Sequence, residues 1–477
     1  MIRTRFAPSP TGSLHVGNAR IAVLNWLFTR QQHGQVLLRI EDTDVDRNIA
    51  GSDEEIFQDL RWLGLDWDEG PSYHGEPPPG RHGPYRQSER LEIYRHWAER
   101  LREQNAVYPC FCSDEDIERM REAAIASGRQ ATYDGRCDRL SDAEREARFA
   151  RSDAFALRFR MPADSAIVVH DAVFGEVRFE PDSIGDFVVL RSDGRPTYNF
   201  AVVVDDIAME ITHVIRGAGH LSNSPRQQAV YRAFDREPPI FAHVPMVLGP
   251  DRQKLAKRHG AQPLAAYREE GWHPDALVNY LSLLAWSSPS GEEVLSRERL
   301  IEEISLDRVG AADVVFDPAK LRWLSGRHIE AMPLDALVAA VRPFLDGSAA
   351  WITDDVLPEA VEAVRSHLTT FGEINEVLKP MAPAPRPVAL ADAAALGVVR
   401  AGRETLGAAS AWNRESLDAA IKMAGKESGA RGRALYEPLR LALTGEVHGP
   451  PLVSVLIVQG RERVLGGLEN ALAEILE

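Results

Sequence analysis

A histidine, a glycine and an asparagine stand at the start of a predicted helix, in the stretch FAPSPTGSLHVGNAR. His15 and Asn18 lie about one helical turn apart, and Gly17 lies between them. The N-terminus of a helix offers unpaired N–H groups and positive potential, and glycine lets the backbone come close to a bound group. The pattern therefore suits a phosphate, whose charge His15 could stabilise as the phosphorus becomes five-coordinate. Taken alone, it also fits a capped helix with a surface histidine.

A second candidate is the basic segment DRQKLAKRHG, residues 251–260. Lysine is scarce in this chain, yet Lys254 and Lys257 lie three positions apart, directly after the turn former GPD. Cationic side chains at this spacing suit phosphate oxygens. Without a second motif to pair with, a solvated basic loop is the ordinary interpretation.

The cysteines form a third candidate site. Cys110 and Cys112 make a C-x-C pair, and Cys137 ends YDGRC. Thiolates at this spacing suit a tetrahedral structural zinc, which would hold together a short insertion with a small core. A metal-free knuckle fits the pattern about as well. Three cysteines cannot complete a disulfide framework, so we expect a reducing, cytoplasmic compartment.

The elements that must position these residues alternate between strand and helix over residues 1 to about 95. Residues 2–6 alternate as in a short strand, VLLRI (36–40) suits a central strand, and Ser52 with Glu55 predicts a capping box. This alternation predicts a parallel sheet, whose ligands lie at the carboxyl ends of the strands. The helix between the two strands is predicted to be amphipathic, with four apolar residues on one face: Ile21, Leu24, Leu27 and Phe28.

The pattern changes twice further along the chain. From about 96 to 195 it loosens, which predicts an insertion, and it returns in PTYNFAVVVDD and ITHVIRG. After residue 270 helical patterns dominate. The proline-rich stretch PMAPAPRP, residues 380–387, is interpreted as a stiff hinge within this helical part.

Composition excludes several classes of protein. The 477 residues predict about three domains. No apolar run reaches the roughly 20 residues needed to span a bilayer, and MIRTRFAPSP lacks the apolar stretch that is typical of a secretory signal. The net charge of -16 argues against coating nucleic acid through bulk electrostatics, although a local basic face remains possible.

HVGN and KLAKR together resemble the two signatures of class I aminoacyl-tRNA synthetases, the His-x-Gly-His-like and Lys-Met-Ser-Lys-Ser-like motifs, in the right order and at a plausible separation. The resemblance is specific to bacterial glutamyl-tRNA synthetases and covers essentially all of the chain to residue 330, and more weakly the rest. It is carried by RFAPSPTG, NWLF, LRIEDTD, WLGLDWDEGP, YDGRC, PTYNF, THVIRG and FDPAKL.

This resemblance implies an α/β fold with a Rossmann-type parallel-sheet catalytic domain and an all-α C-terminal anticodon-binding region. The implied boundaries are residues 1–95 and 196–260 for the two halves of the catalytic domain, 96–195 for an inserted acceptor-end-binding domain, 261–325 for a stem-contact helical domain, and 326–477 for the anticodon-binding region, with a break near 380–387. A cytoplasmic monomer without membrane contact is the family expectation.

The implied reaction joins L-glutamate to tRNA(Glu) through a glutamyl adenylate, with ATP and Mg²⁺. It needs cationic donors for the triphosphate more than a protein base, because the attacking carboxylate is already ionised. The residues that match the family's catalytic and ATP-binding positions are His15, Gly17, Asn18, Lys254 and Lys257, and Lys257 is expected nearest the phosphates.

Five further residues match the family's glutamate-binding positions. Arg5 and Arg216 match the arginines for the side-chain carboxylate, for which the guanidinium fork is well suited. Glu41 matches the residue that takes the ammonium group, and Ser9 and Tyr198 match further contacts. Without this context, a surface ion pair is the ordinary role of any one arginine.

Related enzymes complete a zinc site either with a tyrosine or with a histidine two residues after the last cysteine. The second position is Arg139, which cannot ligate a metal. The candidate ligands are therefore Cys110, Cys112, Tyr133 and Cys137.

The chain also departs from the family pattern. Ala256 stands where a serine is usual in the lysine loop, and Ala218 and Gly219 stand where two acidic residues usually follow Arg-Gly. A tRNA-binding paralogue with impaired catalysis is therefore an alternative, and so is an enzyme that also charges tRNA(Gln). A shorter relative that glutamylates a modified tRNA base would lack the helical C-terminal half. Anticodon contacts are expected from arginines on helical segments there, namely Arg400, Arg403, Arg431 and Arg433.

Overall fold

The structure is a computed structural model that describes residues 1–44, 48–75, 80–128, 130–162, 165–253, 255, 262–384, 390 and 393–473. The chain divides into two compact units. The first unit comprises Met1–Ala266 and Val278–Pro318, and the second comprises Tyr267–Leu277 and Ala319–Glu477.

The described residues form short strands that are nearly all in the first three hundred residues. They are β1 (Arg3–Phe6), β2 (Gln35–Leu38), β3 (Val107–Cys110), β4 (Ala156–Phe159), β5 (Ile167–Asp171), β6 (Gly175–Phe179), β7 (Phe187–Leu190), β8 (His213–Gly217), β9 (Ile240–Val244), β10 (Val247–Leu248) and β11 (Val314–Val315).

The helices of the first part of the chain alternate with these strands. They are α1 (Val16–Gln31), α2 (Ser52–Trp62), α3 (Leu91–Glu103), α4 (Asp114–Ala126), α5 (Asp142–Ala150), α6 (Tyr198–Ala208), α7 (Ser224–Ala233), α8 (Leu264–Glu269), α9 (Pro274–Leu283) and α10 (Arg297–Glu303).

The remaining helices belong to the second unit, apart from the first residue of α11. They are α11 (Pro318–Ala331), α12 (Leu334–Val341), α13 (Leu357–Val364), α14 (Ile374–Leu378), α15 (Ala393–Gly407), α16 (Arg414–Ser428), α17 (Arg433–Thr444), α18 (Leu452–Gln459) and α19 (Arg461–Ala473). The prediction of a helical C-terminal region is confirmed for the described residues after 319. The predicted hinge at 380–387 lies partly outside them, since 385–389 are not described.

Parallel strands organise the first unit, as the sequence predicts. β1 pairs with β2 from Arg3 opposite Gln35 onward. β8 pairs with β9 along its whole length, and β5 joins β9 in the same direction. The Thr212 N–H, just before β8, donates to the Arg3 carbonyl at 3.0 Å, so β1 and β8 begin at the same edge of the sheet. Their carboxyl ends therefore meet at the opposite edge.

The segment between residues 96 and 195 contributes to two sheets. β3, β4 and β7 form a separate antiparallel sheet in that order. β5 and β6 form a hairpin whose first strand extends the parallel sheet through β9. The looser sequence pattern here thus contains two strands, β5 and β6, that belong to the same sheet as β8 and β9.

Two local predictions are wrong. α1 is not amphipathic, because it packs against β1, β2, β8 and α10 and buries residues on every side, including Arg20 and Asn25. The capping box at Ser52 is absent, since α2 begins one residue earlier than that pattern requires. Its N-cap is Gly51, whose φ of 82° favours glycine, and the Ser52 hydroxyl donates to the Ile49 carbonyl at 2.8 Å instead.

The second unit is built on apolar helix packing. One cluster of buried side chains joins α15 to α19, and another joins the helices from α11 to α14 with part of α18. The helices that the structure describes include none that is both long and apolar enough to cross a bilayer.

Candidate active site and metal centre

Two neighbouring cavities open where the strands of the first unit end. The Arg216 cavity, about 460 Å³, is lined by all five residues predicted to bind glutamate: Arg5, Ser9, Glu41, Tyr198 and Arg216. The His15 cavity, about 550 Å³, is lined by His15, Gly17 and Asn18. Asn18 and His220 line both cavities, so ligands in the two would lie side by side.

The His15 cavity is formed at the beginning of α1. His15 is the N-cap residue, and its carbonyl accepts from the N–H groups of Asn18 and Ala19, both at 2.9 Å. A Cβ atom at position 17 would lie 3.2 Å from the His15 ring, which is tighter than most real contacts. Gly17 therefore lets the histidine ring lie against the first turn of the helix.

A buried arginine that the sequence analysis missed also lines the His15 cavity. Arg20 donates through Nη2 to the Pro245 carbonyl, while its Nε and Nη1 have no hydrogen-bond partner in the described part of the chain. Burial lowers the pKa of Arg20 to about 10, against a smaller effect of Asp313. It remains a cation at neutral pH, so this cavity carries positive charge besides the helix N-terminus.

The segment that carries Lys254 and Lys257 is described in part. Lys254, Ala256 and Lys257 lie outside the described residues. Leu255, between the two lysines in the sequence, and Pro263, six residues after Lys257, line the His15 cavity. Leu264 N–H donates to the Leu14 carbonyl at 2.8 Å, next to the helix start. Described residues within and just after the segment thus lie beside the start of α1.

On the β1 side of the Arg216 cavity, arginines and carboxylates alternate. Arg5 Nε lies 3.3 Å from Asp206 Oδ1. Arg39, fully buried, contacts Asp206 at 2.7 Å and Glu41 at 3.0 Å. Burial raises the pKa of Glu41 above its usual range, although Arg39 and Arg5 act in the opposite direction. Arg39 therefore holds a buried carboxyl group in place at the cavity wall.

Arg216, at the other side, has only neutral partners. Its Nε donates to His243 Nε2 at 3.0 Å, and its Nη2 donates to Ser224 Oγ at 2.8 Å. Its Nη1 is buried without a hydrogen bond, and no ion pair joins Arg216 to a carboxylate among the residues described. Burial lowers the pKa of this guanidinium, which is 6% exposed. A buried cation without a counter-charge is an energetic cost that an anionic ligand would remove.

Tyr198 and His220 complete the wall between the cavities. The Tyr198 hydroxyl and His220 Nδ1 are 3.0 Å apart. Burial and then the charges of Arg216 and Arg5 lower the pKa of His220 to about 4, so this ring is neutral at pH 7. It follows that the positive charge of the Arg216 cavity comes from its arginines.

The cysteines come together as predicted. The Sγ atoms of Cys110, Cys112 and Cys137 all lie within 4.8 Å of one another, and those of Cys112 and Cys137 are 3.6 Å apart. Tyr133 Oη lies 3.5 Å from two of these sulfurs. Thiolates around a tetrahedral zinc would be about 3.8 Å apart, so the spacing fits. Arg139 is turned away and donates to the Asp134 carbonyl at 2.8 Å.

The three thiols differ in acidity. Burial raises the pKa of Cys112, and the hydrogen bond that Cys137 donates to Cys110, together with burial, raises the pKa of Cys137. A hydrogen bond from Cys137, despite burial, and a further one from Tyr133 lower the pKa of Cys110 below its usual range, and the charge of Arg158 adds to this. The Arg158 guanidinium lies 3.8 Å from the centre of the Tyr133 ring.

Sequence patterns missed the residues that support the site from behind. Arg39 stands two positions before Glu41, and Asp206 ends PTYNFAVVVDD, so both were visible as charges inside apolar stretches. A charge within a predicted buried strand or helix is the signal that could have found them. His243 and Ser224 offered no such signal.

Comparisons with known proteins agree with this geometry. Residues 1–323 match the catalytic domain model of class I tRNA synthetases (E and Q), and residues 336–472 match an anticodon binding domain. The chain is similar to glutamate–tRNA ligases from Carboxydothermus hydrogenoformans (42% identity, covering 96% of this chain and 97% of that one) and Desulforamulus reducens (42% identity, 99% of each).

A solved structure extends the similarity to the whole fold. The glutamate tRNA ligase of Elizabethkingia meningosepticum, in complex with its amino acid, superposes with a TM-score of 0.88 at 29% identity and full coverage of both chains. With its catalytic and anticodon-binding regions matched in order along the chain, this protein belongs to the class I aminoacyl-tRNA synthetases, in the glutamate–tRNA ligase family.

Proposed function

We propose that this chain ligates L-glutamate to tRNA through a glutamyl adenylate, using ATP and Mg²⁺. The observation that carries the proposal is Arg216, a buried cation with no carboxylate partner in the described part of the chain, in a cavity beside a helix N-terminus. An amino acid with a second carboxylate and a nucleotide triphosphate meet these two requirements.

In this proposal the Arg216 cavity binds glutamate. Its side-chain carboxylate is neutralised by Arg216 and Arg5, whose guanidinium forks suit two oxygens. Its ammonium group is taken by Glu41, which Arg39 holds at 3.0 Å. Ser9 and Tyr198 supply polar contacts along the same wall.

ATP occupies the His15 cavity, with its phosphates at the start of α1. An oxygen of the glutamate α-carboxylate attacks the α-phosphorus, and pyrophosphate leaves. His15, Asn18 and the cation Arg20 stabilise the charge that develops, as preorganised donors do. Gly17 allows the close approach, and Lys254 and Lys257 supply further cations, since Leu255 between them and Pro263 after them line the cavity. Mg²⁺ bound to the ATP phosphates would supply further positive charge for the pyrophosphate that leaves.

The second step transfers the glutamyl group. The 3′-terminal hydroxyl of tRNA attacks the carbonyl of the adenylate, and AMP leaves. The inserted segment 96–195 is proposed to hold the acceptor end, residues 261–325 to contact the stem, and residues 326–477 to bind the anticodon. We also propose a cytoplasmic enzyme, and a monomer is what the family resemblance implies.

Pyrophosphate exchange and charging assays test this function. Exchange should depend on glutamate and tRNA, and Lys257→Ala should reduce adenylate formation far more than tRNA affinity. Lys320→Ala, a lysine on α11 outside both cavities, is the matched control. Measurable tRNA binding without exchange for any tRNA would favour the impaired paralogue instead, and charging of tRNA(Gln) would identify the less selective enzyme.

We further propose that Cys110, Cys112, Cys137 and Tyr133 hold a structural zinc ion, which would tie β3 to the YDGRC loop. Elemental analysis of the purified protein should give one zinc per chain, and Cys112→Ser should abolish it. Tyr133→Phe should weaken zinc retention against a chelator if the phenol oxygen is a ligand. A protein that is free of metal and equally stable with and without chelator would show a metal-free knuckle.

A further inference from the structure

Behind Arg216 lies a buried chain of three polar side chains on three adjacent strands. Asp171 ends β5, His243 is on β9, and Arg216 is on β8, directly opposite His243 in the register. Asp171 Oδ2 is 2.6 Å from His243 Nδ1, and His243 Nε2 is 3.0 Å from Arg216 Nε. The side chains of Asp171 and His243 have no exposed surface.

The contacts determine which nitrogen of His243 carries the proton. An arginine N–H can only donate, so Nε2 must be the acceptor. Nδ1 then carries the hydrogen and donates it to Asp171. Burial and the nearby charge of Arg216 also lower the pKa of His243, although Asp171 acts in the opposite direction. His243 is therefore a neutral ring with one defined tautomer.

Asp171 is itself fixed from several directions. Its Oδ1 accepts from the backbone N–H groups of Val173 at 3.0 Å and Phe174 at 2.9 Å, and its Oδ2 accepts from the His243 backbone N–H at 3.1 Å. The carboxylate cannot rotate without losing these bonds, so the orientation of the imidazole is fixed as well.

The chain of contacts holds Arg216 without neutralising it. His243 and Ser224 occupy Nε and Nη2, and neither partner carries a charge. Arg5 differs, because its Nε lies 3.3 Å from the Asp206 carboxylate. Unlike Arg5, Arg216 therefore has no carboxylate among its hydrogen-bond partners in the described structure, and its positive charge is available to a ligand. The same two hydrogen bonds fix the orientation of its guanidinium group.

We propose that Asp171 and His243 are positioning residues that lock the Arg216 guanidinium in one orientation, and that this lock selects the carboxylate of glutamate over the carboxamide of glutamine. The inference rests on the proposed function. A locked guanidinium offers only donors, which suits two carboxylate oxygens, whereas the amide of glutamine presents its own donor to the same group. If the guanidinium group of Arg216 is free to rotate, glutamate therefore binds more weakly and the preference for glutamate over glutamine decreases.

Two substitutions of His243 distinguish the loss of its hydrogen bond to Arg216 from a general loss of packing. In His243→Gln the amide oxygen reaches about the position of Nε2 and still accepts from Arg216. In His243→Asn the shorter amide reaches only about the position of Nδ1, so the contact with Asp171 survives and the acceptor for Arg216 is lost. We expect KM for glutamate to rise roughly 10- to 100-fold in His243→Asn, the loss of one hydrogen bond to a charged group. We expect a rise of no more than a few-fold in His243→Gln.

Comparing KM for glutamate with KM for ATP shows whether a substitution affects only the Arg216 cavity. KM for ATP should stay nearly constant in both variants, and the glutamate-to-glutamine preference should fall in His243→Asn. His213→Gln, a buried histidine on β8 whose Nδ1 contacts Thr212 Oγ1, is the matched control for general loss of packing. Equal increases in both His243 variants, or a parallel increase in KM for ATP, would overturn the proposal.

A measurement that needs no catalysis completes the test. In protein labelled with ¹⁵N-histidine, the His243 signals, assigned by their absence in His243→Gln, should show a protonated Nδ1 and an unprotonated Nε2 at pH 7. An Nε2–H tautomer or an imidazolium would overturn the lock whatever the activity. Absence of exchange activity in the wild-type protein together with the expected tautomer would instead contradict the proposed function.

Discussion

The two units bury different kinds of side chain. In the first unit, Arg39 forms ion pairs with Asp205 and Asp206, and all three residues are at most 4% exposed. In the second unit the clusters that join the helices are apolar, and its ion pairs lie at the surface, as Arg403 with Glu469 does at 42% and 63% exposure of the two side chains.

The first unit buries ion pairs next to its proposed substrate cavity, and the second unit is packed mainly through apolar side chains. Burying charges costs more free energy than burying apolar groups of the same size, and the cost is recovered only when each charge has its partner. The first unit accepts this cost beside the Arg216 cavity, where charges must bind a charged substrate. The second unit can be stable through apolar packing alone, with its exposed charges available for a polyanion.

Removing the centre of the buried charge network should have the largest effect. Arg39→Met removes the cation nearest to Asp206 and Glu41, 2.7 Å and 3.0 Å away, and we expect about 3–5 kcal/mol less free energy of unfolding. Urea unfolding followed by tryptophan fluorescence measures this loss. Arg403→Met in the second unit is the control and should leave the unfolding midpoint unchanged. A loss for Arg39→Met as small as that of the control would show that the buried charges contribute nothing to stability.

Creating a cavity in the second unit should lower the free energy of unfolding somewhat less than the Arg39 substitution does. Leu468 is fully buried in the cluster that joins α15 to α19, and Leu468→Ala should lower the free energy of unfolding by about 2–4 kcal/mol through lost burial and an unfilled space. The same unfolding experiment applies, with the exposed Glu462→Ala on the same helix as control. An effect below about 1 kcal/mol would mean that the neighbouring helices collapse into the space.

The contribution of one carboxylate of the first unit, Glu69, to the free energy of unfolding should depend on pH. Burial acts to raise the pKa of Glu69, but hydrogen bonds from Arg3 and His82 and the charge of Arg3 hold it at about 2, below the usual 4.5. Because the pKa is depressed in the folded state, the stabilisation is full above about pH 4.5 and is lost as the pH falls towards 2.

The matched variant is Glu69→Gln, which keeps the shape and removes the charge. At pH 7 it should be about 2 kcal/mol less stable than the wild type, the scale of a hydrogen bond to a charged group. The difference in free energy of unfolding between wild type and variant should decrease steadily below pH 4.5. Urea unfolding at a series of pH values measures this difference. A gap that does not change with pH would mean that shape, not charge, determines the contribution of Glu69.

The exposed arginines of the second unit should affect stability least. Arg400 and Arg431 are exposed, so Arg400→Gln and Arg431→Gln should leave the unfolding midpoint unchanged. If they contact tRNA phosphates, each should weaken tRNA affinity by a few-fold and reduce the slope of log affinity against log salt by about 1. Filter binding at several salt concentrations measures both. Arg433, which pairs with Glu437 at 2.8 Å, is the comparison residue.

Much of the fold and part of the site follow from sequence patterns. The parallel sheet, the helical C-terminal region and the convergence of Arg5, Glu41 and Arg216 were predictable, because strand ends in such sheets meet at one edge. The orientation of α1 was not. Its apolar face suggested one buried side, but strands and a helix surround it and bury its polar residues too.

The sequence by itself determined the family, the order of α and β segments, and the residue types that line the two cavities, since these depend on local pattern and on motifs in a fixed order. Only the tertiary structure decided which charges neutralise one another. Asp206 contacts both Arg5 and Arg39, whereas Arg216 contacts a neutral histidine and a serine. That assignment depends on strand register and burial, which bring together residues far apart in the chain, and so Arg216 keeps the charge that its ligand needs.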